Sequence, residues 1–426
     1  VIALFTSHAA GADATFGKQP DPDASVYVCM DYAERNNPEL EASFQRWLSA
    51  RDAVAMESGF DDPIIGADVE RKDTTLSDYA NIEWMIRQPL PGFGKRAARE
   101  SVAGLQAEVA GLEYLEAVRT VRAEVAAAYW DLWVAQKAVD ITVTNRDLLS
   151  QFEQTARVRY ESGGGSQQDV LRAQIELASI ENDVETRLQD HDLAKVTVNT
   201  LLNVSQDAKR RTRAAPYVGG SHMALISAHI AATSYCPQLL AHERMIRVEE
   251  SRLRLAKLEG VPDFEVRLEA RQLQDGNGIN EIDTALFLNI PWLWRGQRRA
   301  AVTQAQSGLE SAEAAYDAAA NAVQYKVTAV HHHAETAQRS LELYRDEIIP
   351  RARESITVAL ALYESGGAGF LDFINAQRTL LEAQMRYYEA VASRAGADAQ
   401  LDRFITPFDA EAFSSKRDPS AVRGTP

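Results

Sequence analysis

Side chains able to do chemistry are few in this sequence and scattered. Two cysteines occur in 426 residues, Cys29 and Cys236, so neither a disulfide framework nor a thiolate metal site is indicated and both read as small apolar residues. His331-His332-His333 is the obvious candidate for metal binding. Consecutive helical residues point about 100° apart, so three imidazoles cannot converge on one ion within a chain. The run therefore reads as solvated helix surface, and no metal site is assigned. The sequence holds no Gly-x(4)-Gly-Lys-Ser/Thr phosphate loop, and no Ser-His-Asp or paired-carboxylate arrangement can be located among its 61 acidic residues. Neither catalysis nor a cofactor is expected. Two carboxylates nevertheless stand out by position: Asp169 and Asp372 each follow a glycine-rich turn. With Ser166 or Gly369 as N-cap, each falls at the third helical position, where a carboxylate caps amides and complements the helix dipole. Gathered from several copies into a ring, the same groups would attract cations.

The turns that carry these residues belong to a repeat. Tyr160-Glu-Ser-Gly-Gly-Gly-Ser-Gln-Gln-Asp169-Val-Leu-Arg-Ala-Gln-Ile-Glu-Leu177 aligns without gaps on Tyr363-Glu-Ser-Gly-Gly-Ala-Gly-Phe-Leu-Asp372-Phe-Ile-Asn-Ala-Gln-Arg-Thr-Leu380, with nine of eighteen pairs identical. About one identity is expected from average usage. Near the same offset of 203 residues, Pro89, Gly94 and Arg96 match Pro291, Gly296 and Arg298, and Asn-Pro38-Glu-Leu answers Cys-Pro237-Gln-Leu. The chain is thus a duplication over roughly 30–205 and 234–405. Gly163 and Gly164 in the first copy, and Gly366 and Gly367 in the second, reverse the chain. Tyr160 and Tyr363 beside them are tip-packing residues first and gate residues second.

From 95 to 160 there is no proline, and apolar residues recur at Leu105, Val109, Leu112, Leu115, Val118, Val121, Val125, Ala128, Leu132, Ala135 and Val139. Spacings of three and four predict one helix with a continuous buried stripe, on the order of 100 Å long. A return helix over 167–203 covers only half of it, so a further helix over 38–58 is expected to stack end to end with the return helix. The second copy repeats the plan with 298–363, 370–403 and 237–259. Pro350 removes a helical hydrogen bond and should kink the second long helix. An irregular linker is expected over 206–233 and a tail over 406–426. Residues 1–12 read as the remnant of a secretory signal, with Ser7-His8-Ala9 as the small-x-small cleavage site.

Phe264-Glu-Val-Arg-Leu-Glu-Ala-Arg271 alternates between apolar and charged residues, and Ile282, Thr284, Leu286, Leu288 and Ile290 continue the pattern after a turn. One face is greasy and the other ionised, which a core strand would not be. Hairpins are expected over 63–90 and 262–291, with Phe264, Val266, Leu268, Leu286, Leu288 and Ile290 facing lipid. Trp84, Trp292 and Trp294 suit an interfacial aromatic girdle, or alternatively packing at the hairpin-to-helix joint. A soluble amphipathic hairpin would show the same alternation. No run of about twenty apolar residues exists, which excludes a transmembrane helix but not a β-barrel. Four strands cannot close a barrel, since the smallest need about eight, so copies of the chain must share one. Pattern alone allows two or three copies. The formal charge of −16 argues against a nucleic-acid groove.

In its duplicated Tyr-x-x-Gly-x(5)-Asp-x-x-x-Ala-Gln element, Asn-Pro38-Glu-Leu, Ala128-Tyr-Trp-Asp-Leu132 and strand-to-helix joints, the chain resembles the TolC family of outer-membrane factors over nearly its whole length. Gln88-Pro-Leu-Pro-Gly-Phe-Gly-Lys95 is most similar to the branch associated with heavy-metal efflux. The resemblance implies a mainly α, α+β fold, in which a long α-helical barrel continues into a shared transmembrane β-barrel with an equatorial region. It further implies a homotrimer with twelve strands in the lipid of the outer membrane of a Gram-negative bacterium. A periplasmic adaptor and an inner-membrane pump would dock at the helical tip and supply the energy for a passive exit duct. On the same resemblance Asp372 matches the family's entrance aspartate. Asn375 stands where some members carry a second ring aspartate, and Ala368 replaces the arginine of their closing network. The competing reading is a soluble helical scaffold or periplasmic assembly protein without channel activity; a periplasmic adaptor would need more strands around a single helical hairpin.

Overall fold

The computed structural model describes residues 19–71, 79–212, 223–273, 278–279, 281–365, 367 and 369–408. The expected signal remnant at 1–12, the turns at 72–78 and 274–277, Gly366, Ala368 and the tail beyond 408 lie outside the described residues. Two compact units are present, and each draws on both repeats.

The unit formed by 41–117, 228–326 and the segment from 404 carries all four strands. Strands β1 (Ile64–Arg71), β2 (Tyr79–Leu90), β3 (Phe264–Leu273) and β4 (Glu281–Leu288) form one antiparallel sheet in the order β1-β2-β3-β4. The hairpins of the two repeats are therefore joined through β2 and β3. Register opposes Ile65 to Ile86, Ile86 to Leu268, Leu90 to Phe264, Phe264 to Leu288 and Val266 to Leu286. Because side chains alternate with period two, this register places Ile65, Ala67, Val69, Ile82, Trp84, Ile86, Val266, Leu268, Ile282 and Leu286 on one face.

The opposite face is an ion ladder. Glu265 pairs with Arg87 at 4.0 Å and Arg267 at 3.6 Å, Arg267 reaches Glu269 at 3.1 Å, and Arg271 pairs with Glu83 at 3.6 Å and Glu281 at 3.0 Å. One expectation needs correction here. β4 ends at Leu288, because Pro291 has no N–H to extend a ladder and opens a 3-10 turn over Pro291–Trp294. Ile290, Trp292 and Trp294 are thus exposed residues of the joint rather than of the strand. Trp84 sits within β2, opposite Ala67 and Ala270, on the apolar face.

Asp263 ties this joint together. Its carboxylate accepts from the Gly92 N–H at 2.8 Å, from Lys95 Nζ at 2.7 Å and from the Asn289 amide at 2.8 Å. Lys95, the first residue of helix α3 (Lys95–Glu161), is fully buried and also pairs with Glu259 at 3.2 Å. Gly92 is obligatory at this point: a Cβ would lie 2.5 Å from the Pro262 carbonyl oxygen. Further along α3, Trp47 of helix α2 (Pro38–Ser58) stacks on Tyr114 at 6.0 Å, over the gap left by Gly111.

The unit formed by residues up to 40, 118–227 and 327–403 holds both glycine turns and the helical segments around them. Helix α1 (Val26–Asn36), which the sequence reading missed, ends where Asn37 caps α2, accepting from Glu39 and Leu40 N–H at 2.8 and 3.3 Å. The segment 206–233, expected to be irregular, contains most of helix α5 (Leu225–Tyr235). Both helices end one residue before the residue that precedes a proline, the usual stop, and Pro237 opens helix α6 (Pro237–Leu258). In the second repeat, helix α7 (Arg295–Leu343) passes through a π turn, Tyr344–Ile348, into helix α8 (Ile349–Ser365). Pro350 thus sits just after a wider turn that accommodates its missing donor.

Burial alone pushes the Asp263 carboxyl up, but Lys95, the Gly92 N–H and the Asn289 amide hold it below the ordinary carboxylate range. Such a group stabilises the fold above its unfolded pKa of about 4, and this contribution disappears as pH falls through the lower folded value. Lys95→Met leaves the carboxylate without a counter-charge. The cost is about 1–3 kcal/mol, below that of a fully buried broken pair because Asp263 is partly exposed. Thermal unfolding of wild type and variant at pH 7 and pH 3 should show the difference shrinking at the lower pH; an equal difference at both would remove Asp263 from the account.

Candidate functional site at the helix tips

The first glycine turn closes α3 with a Schellman motif. Gly164 N–H donates to the Arg159 carbonyl at 2.8 Å and Gly163 N–H to Tyr160 at 3.0 Å. Gly163 stands at φ +80°, where a side chain would be strained. Ser166 then caps helix α4 (Gln167–Leu201), accepting from Gln168 N–H at 3.1 Å, and Asp169 lies in the first turn. In the second copy Gly367 N–H donates to the Leu362 carbonyl at 2.8 Å before helix α9 (Phe370–Ile405) begins. Here Asp372 completes the cap, its carboxylate accepting from Gly369 N–H at 3.3 Å.

Beneath the turns lies an aromatic core. Phe152 of α3 stacks on Phe373 of α9 at 4.1 Å and packs against Tyr363 at 4.7 Å and Phe370 at 5.3 Å. Val170 and Ala173 of α4 and Ala359 of α8 complete this core, so four helix ends share it. The duplicated tyrosines part company. Tyr363 is buried, whereas Tyr160 is 45% exposed, because the counterpart of Arg159 in the second copy is Leu362.

Arg159 is the residue that sequence reasoning missed. Its guanidinium lies 4.8 Å above the Tyr363 ring, donates to the Tyr363 carbonyl and donates to the Gly164 carbonyl at 3.1 Å. One side chain thereby ties both tips. Arg159, Gly163, Gly164, Gly165, Ser166, Asp169 and Tyr363 line a notch of about 330 Å³. Burial pushes the Tyr363 phenol up, the Asp169 charge adds to this, and Arg159 opposes it. Two further contacts brace the tip. Glu153 accepts from Arg157 at 2.5 Å and Gln174 at 3.1 Å, and the hydrogen bond from Arg157 keeps its carboxyl low against the opposing effect of burial. Arg378 donates to Glu176 at 2.7 Å.

Asp372 and Asn375 are exposed on α9 and outside the notch, while Asp169 lines it and is half buried. The structure thus brings Asp169, Tyr363 and the first turn's glycines together, and leaves Asp372, Asn375 and Tyr160 on the surface. Asp372 and Asp169 both serve as helix-start carboxylates, and neither approaches a nucleophile or base arrangement.

A family model described as outer membrane efflux protein matches residues 30–204 and 233–405. The chain is similar to the cobalt-zinc-cadmium resistance protein CzcC of Cupriavidus metallidurans, 24% identical over 400 residues that cover 92% of each chain. Its fold is that of solved outer-membrane channels. CusC aligns with TM-score 0.78 at 12% identity over 93% of this chain and 96% of the other. OprN aligns with TM-score 0.77 at 17% identity over 90% of each. The open state of MtrE from Neisseria gonorrhoeae aligns with TM-score 0.75 at 14% identity over 93% and 96%.

Replacing Arg159 by leucine, its counterpart in the second copy, removes two hydrogen bonds and a cation–π contact. Such a loss costs about 1–3 kcal/mol locally. Amide hydrogen exchange should accelerate around 163–169 and 359–363 and stay unchanged in the strands. Unaltered exchange at both turns would mean that the aromatic core alone holds the tips.

Proposed function

The chain belongs to the outer membrane efflux protein family, whose members are channels and not enzymes, and from that premise we propose that it forms a homotrimeric exit duct. Three copies share a twelve-stranded barrel in the outer membrane of a Gram-negative bacterium. The helices extend into the periplasm, where an adaptor and an inner-membrane pump engage the tips and drive transport. The observation that carries this reading is the sheet, which has one exposed apolar face, one ion-paired face, and outer strands β1 and β4 with open edges. An open hydrophobic edge is a hazard that closure into a barrel abolishes. Exposed apolar residues on the helices, such as Leu171 at 52% and Ile175 at 69% one turn apart on α4, are covered by neighbouring copies or by the adaptor. Tyr160 and Tyr363 serve as tip-packing and gate residues, and Asp372 with its symmetry copies forms an acidic ring at the entrance, with Asp169 and Asn375 lining the approach.

Protein extracted from outer membranes with detergent should have the mass of three chains and give discrete conductance steps in a planar bilayer. Multivalent cations should block that conductance, and Asp372→Ala should weaken the block severalfold. A water-soluble monomer without conductance would sink the proposal, and unchanged block in the variant would leave Asp372 only its helix-start role.

Similarity to CzcC, a cobalt-zinc-cadmium resistance protein, favours divalent transition metals as the cargo. Deletion of the gene should increase sensitivity to cobalt, zinc or cadmium and leave sensitivity to organic drugs and detergents unchanged. Equal metal sensitivity with and without the gene removes this assignment of cargo.

A further inference from the structure

Helix α7 carries a second arrangement, away from the glycine turns, that the export reading does not use. His331 is buried, and its Nε2 lies 3.1 Å from the Met223 carbonyl oxygen. A carbonyl oxygen can only accept, so Nε2 carries the proton and the neutral ring presents its lone pair at Nδ1. That nitrogen faces Glu335 Oε1 at 3.8 Å, while His332 Nδ1 lies 3.1 Å from Glu335 Oε2. The three ligand atoms all lie within 4.8 Å of one another.

Helix geometry makes this arrangement possible. His331 and His332 diverge, as consecutive residues must, but Glu335 stands four residues from one and three from the other, and both spacings put side chains side by side. His333 turns elsewhere, its Nε2 3.4 Å from Ser393 Oγ. We infer that His331, His332 and Glu335 form a binding site for a divalent transition cation such as zinc.

The chemistry fits that class. Imidazole nitrogen with one carboxylate suits zinc, cobalt or nickel, whereas magnesium and calcium require oxygen ligands. Metal–ligand bonds of about 2.0–2.1 Å set a ligand-to-ligand edge of roughly 3.3 Å in a tetrahedron. The 3.1 and 3.8 Å contacts are made by the two different Glu335 oxygens, and the three ligand atoms lie within 4.8 Å of one another, so a modest side-chain rotation closes the set on an ion. His331 is the fixed ligand, its ring oriented by a hydrogen bond to a backbone carbonyl as in other histidine metal sites. His332 and Glu335, whose side chains are 64% and 47% exposed, can swing to close on the ion. Solvent completes the coordination.

The test uses the purified full chain without a polyhistidine tag, titrated with Zn²⁺ alone by calorimetry and with Co²⁺ by visible absorption. One Zn²⁺ per chain should bind, and Co²⁺ should give the intense bands of a low-coordinate site. His332→Ala and Glu335→Gln change only exposed side chains, so they should fold normally, and each should weaken binding at least about tenfold. His333→Ala should leave it unchanged. Absent saturable binding overturns the inference, as does unchanged affinity in the first two variants. An equal loss in His333→Ala also overturns it, because binding would then belong to the histidine run as a whole. Channel conductance is not read in this experiment, so its outcome is independent of the export reading.

Discussion

The sheet hangs on one carboxylate. Asp263 precedes β3, yet its oxygens hold Gly92 and Lys95 at the end of β2 and Asn289 at the end of β4, so three strand ends are fixed against one another. Its backbone joins in, since Asn289 N–H donates to the Asp263 carbonyl at 3.2 Å and Asp263 N–H to the Asn289 side chain at 2.8 Å. Register matters here more than in a globular sheet. A slip of one residue would carry Val266 and Leu268 to the ionised face and Arg267 to the apolar one. The ladder of Arg87, Glu265, Arg267, Glu269, Arg271, Glu83 and Glu281 is legible only in this register. Individually such partly exposed pairs contribute little. As a continuous set they penalise every neighbouring register, because each slip would oppose charge to hydrocarbon.

Duplication supplied the same plan twice, and the tips show how little is needed to differentiate the copies. Tyr160 and Tyr363 begin identical pentapeptides, but one is exposed and the other buried against Phe152 and under Arg159. Arginine at 159 in place of leucine at 362 is the asymmetry that matters. It lets the first turn grip the second, whereas Leu362 has no polar group with which to reach back. The aromatic pair Phe370 and Phe373 has no counterpart in the first copy, where Gln167 and Val170 occupy the matching positions. Packing is therefore weighted toward the second copy, and the first provides the clamp.

Much of this was legible in the sequence, because long-period signals accumulate. The stripe from Val109 to Leu132 repeats often enough to specify a helix, and the alternation around Phe264 specifies which residues share a face. Short elements gave no such accumulation. Helices α1 and α5 have eleven residues each, and their buried stripes are short and made mostly of small residues, Val26, Cys29 and Ala33 in one and Ala228 and Ala232 in the other, while larger apolar side chains such as Tyr27, Ile226 and Ile230 are exposed. Arg159 was invisible for another reason: an arginine near a helix end is ordinary, and only the fold brings the Tyr363 carbonyl within its reach. The histidine run carries a third kind of signal, one that depends on a residue a turn away. Consecutive imidazoles diverge, as helix geometry requires, yet Glu335 one turn later lies beside both His331 and His332. Pro350 marked the right place for an irregularity, though the chain widens into a π turn there.

Consider what a single chain leaves unsatisfied. Among the described residues, outer strands β1 and β4 carry backbone donors and acceptors without a sheet neighbour beyond them, and the same strands expose Ile65, Ile282, Leu286 and Leu288. Lipid can cover the side chains, but it offers no hydrogen bonds to the edges. Another strand can satisfy the edges, but no strand could cover the whole apolar face. The two deficits therefore call for two different partners, and a closed barrel in a bilayer supplies both at once. Water can hydrogen-bond to the edges but leaves the apolar face exposed and the edges open to aggregation, which is why a soluble scaffold fits this sheet poorly. The ionised face is consistent with the same solution: once the apolar residues face lipid, Glu83, Arg267, Glu269 and Arg271 face inward, where water can solvate them and where their mutual pairing keeps the strands in register.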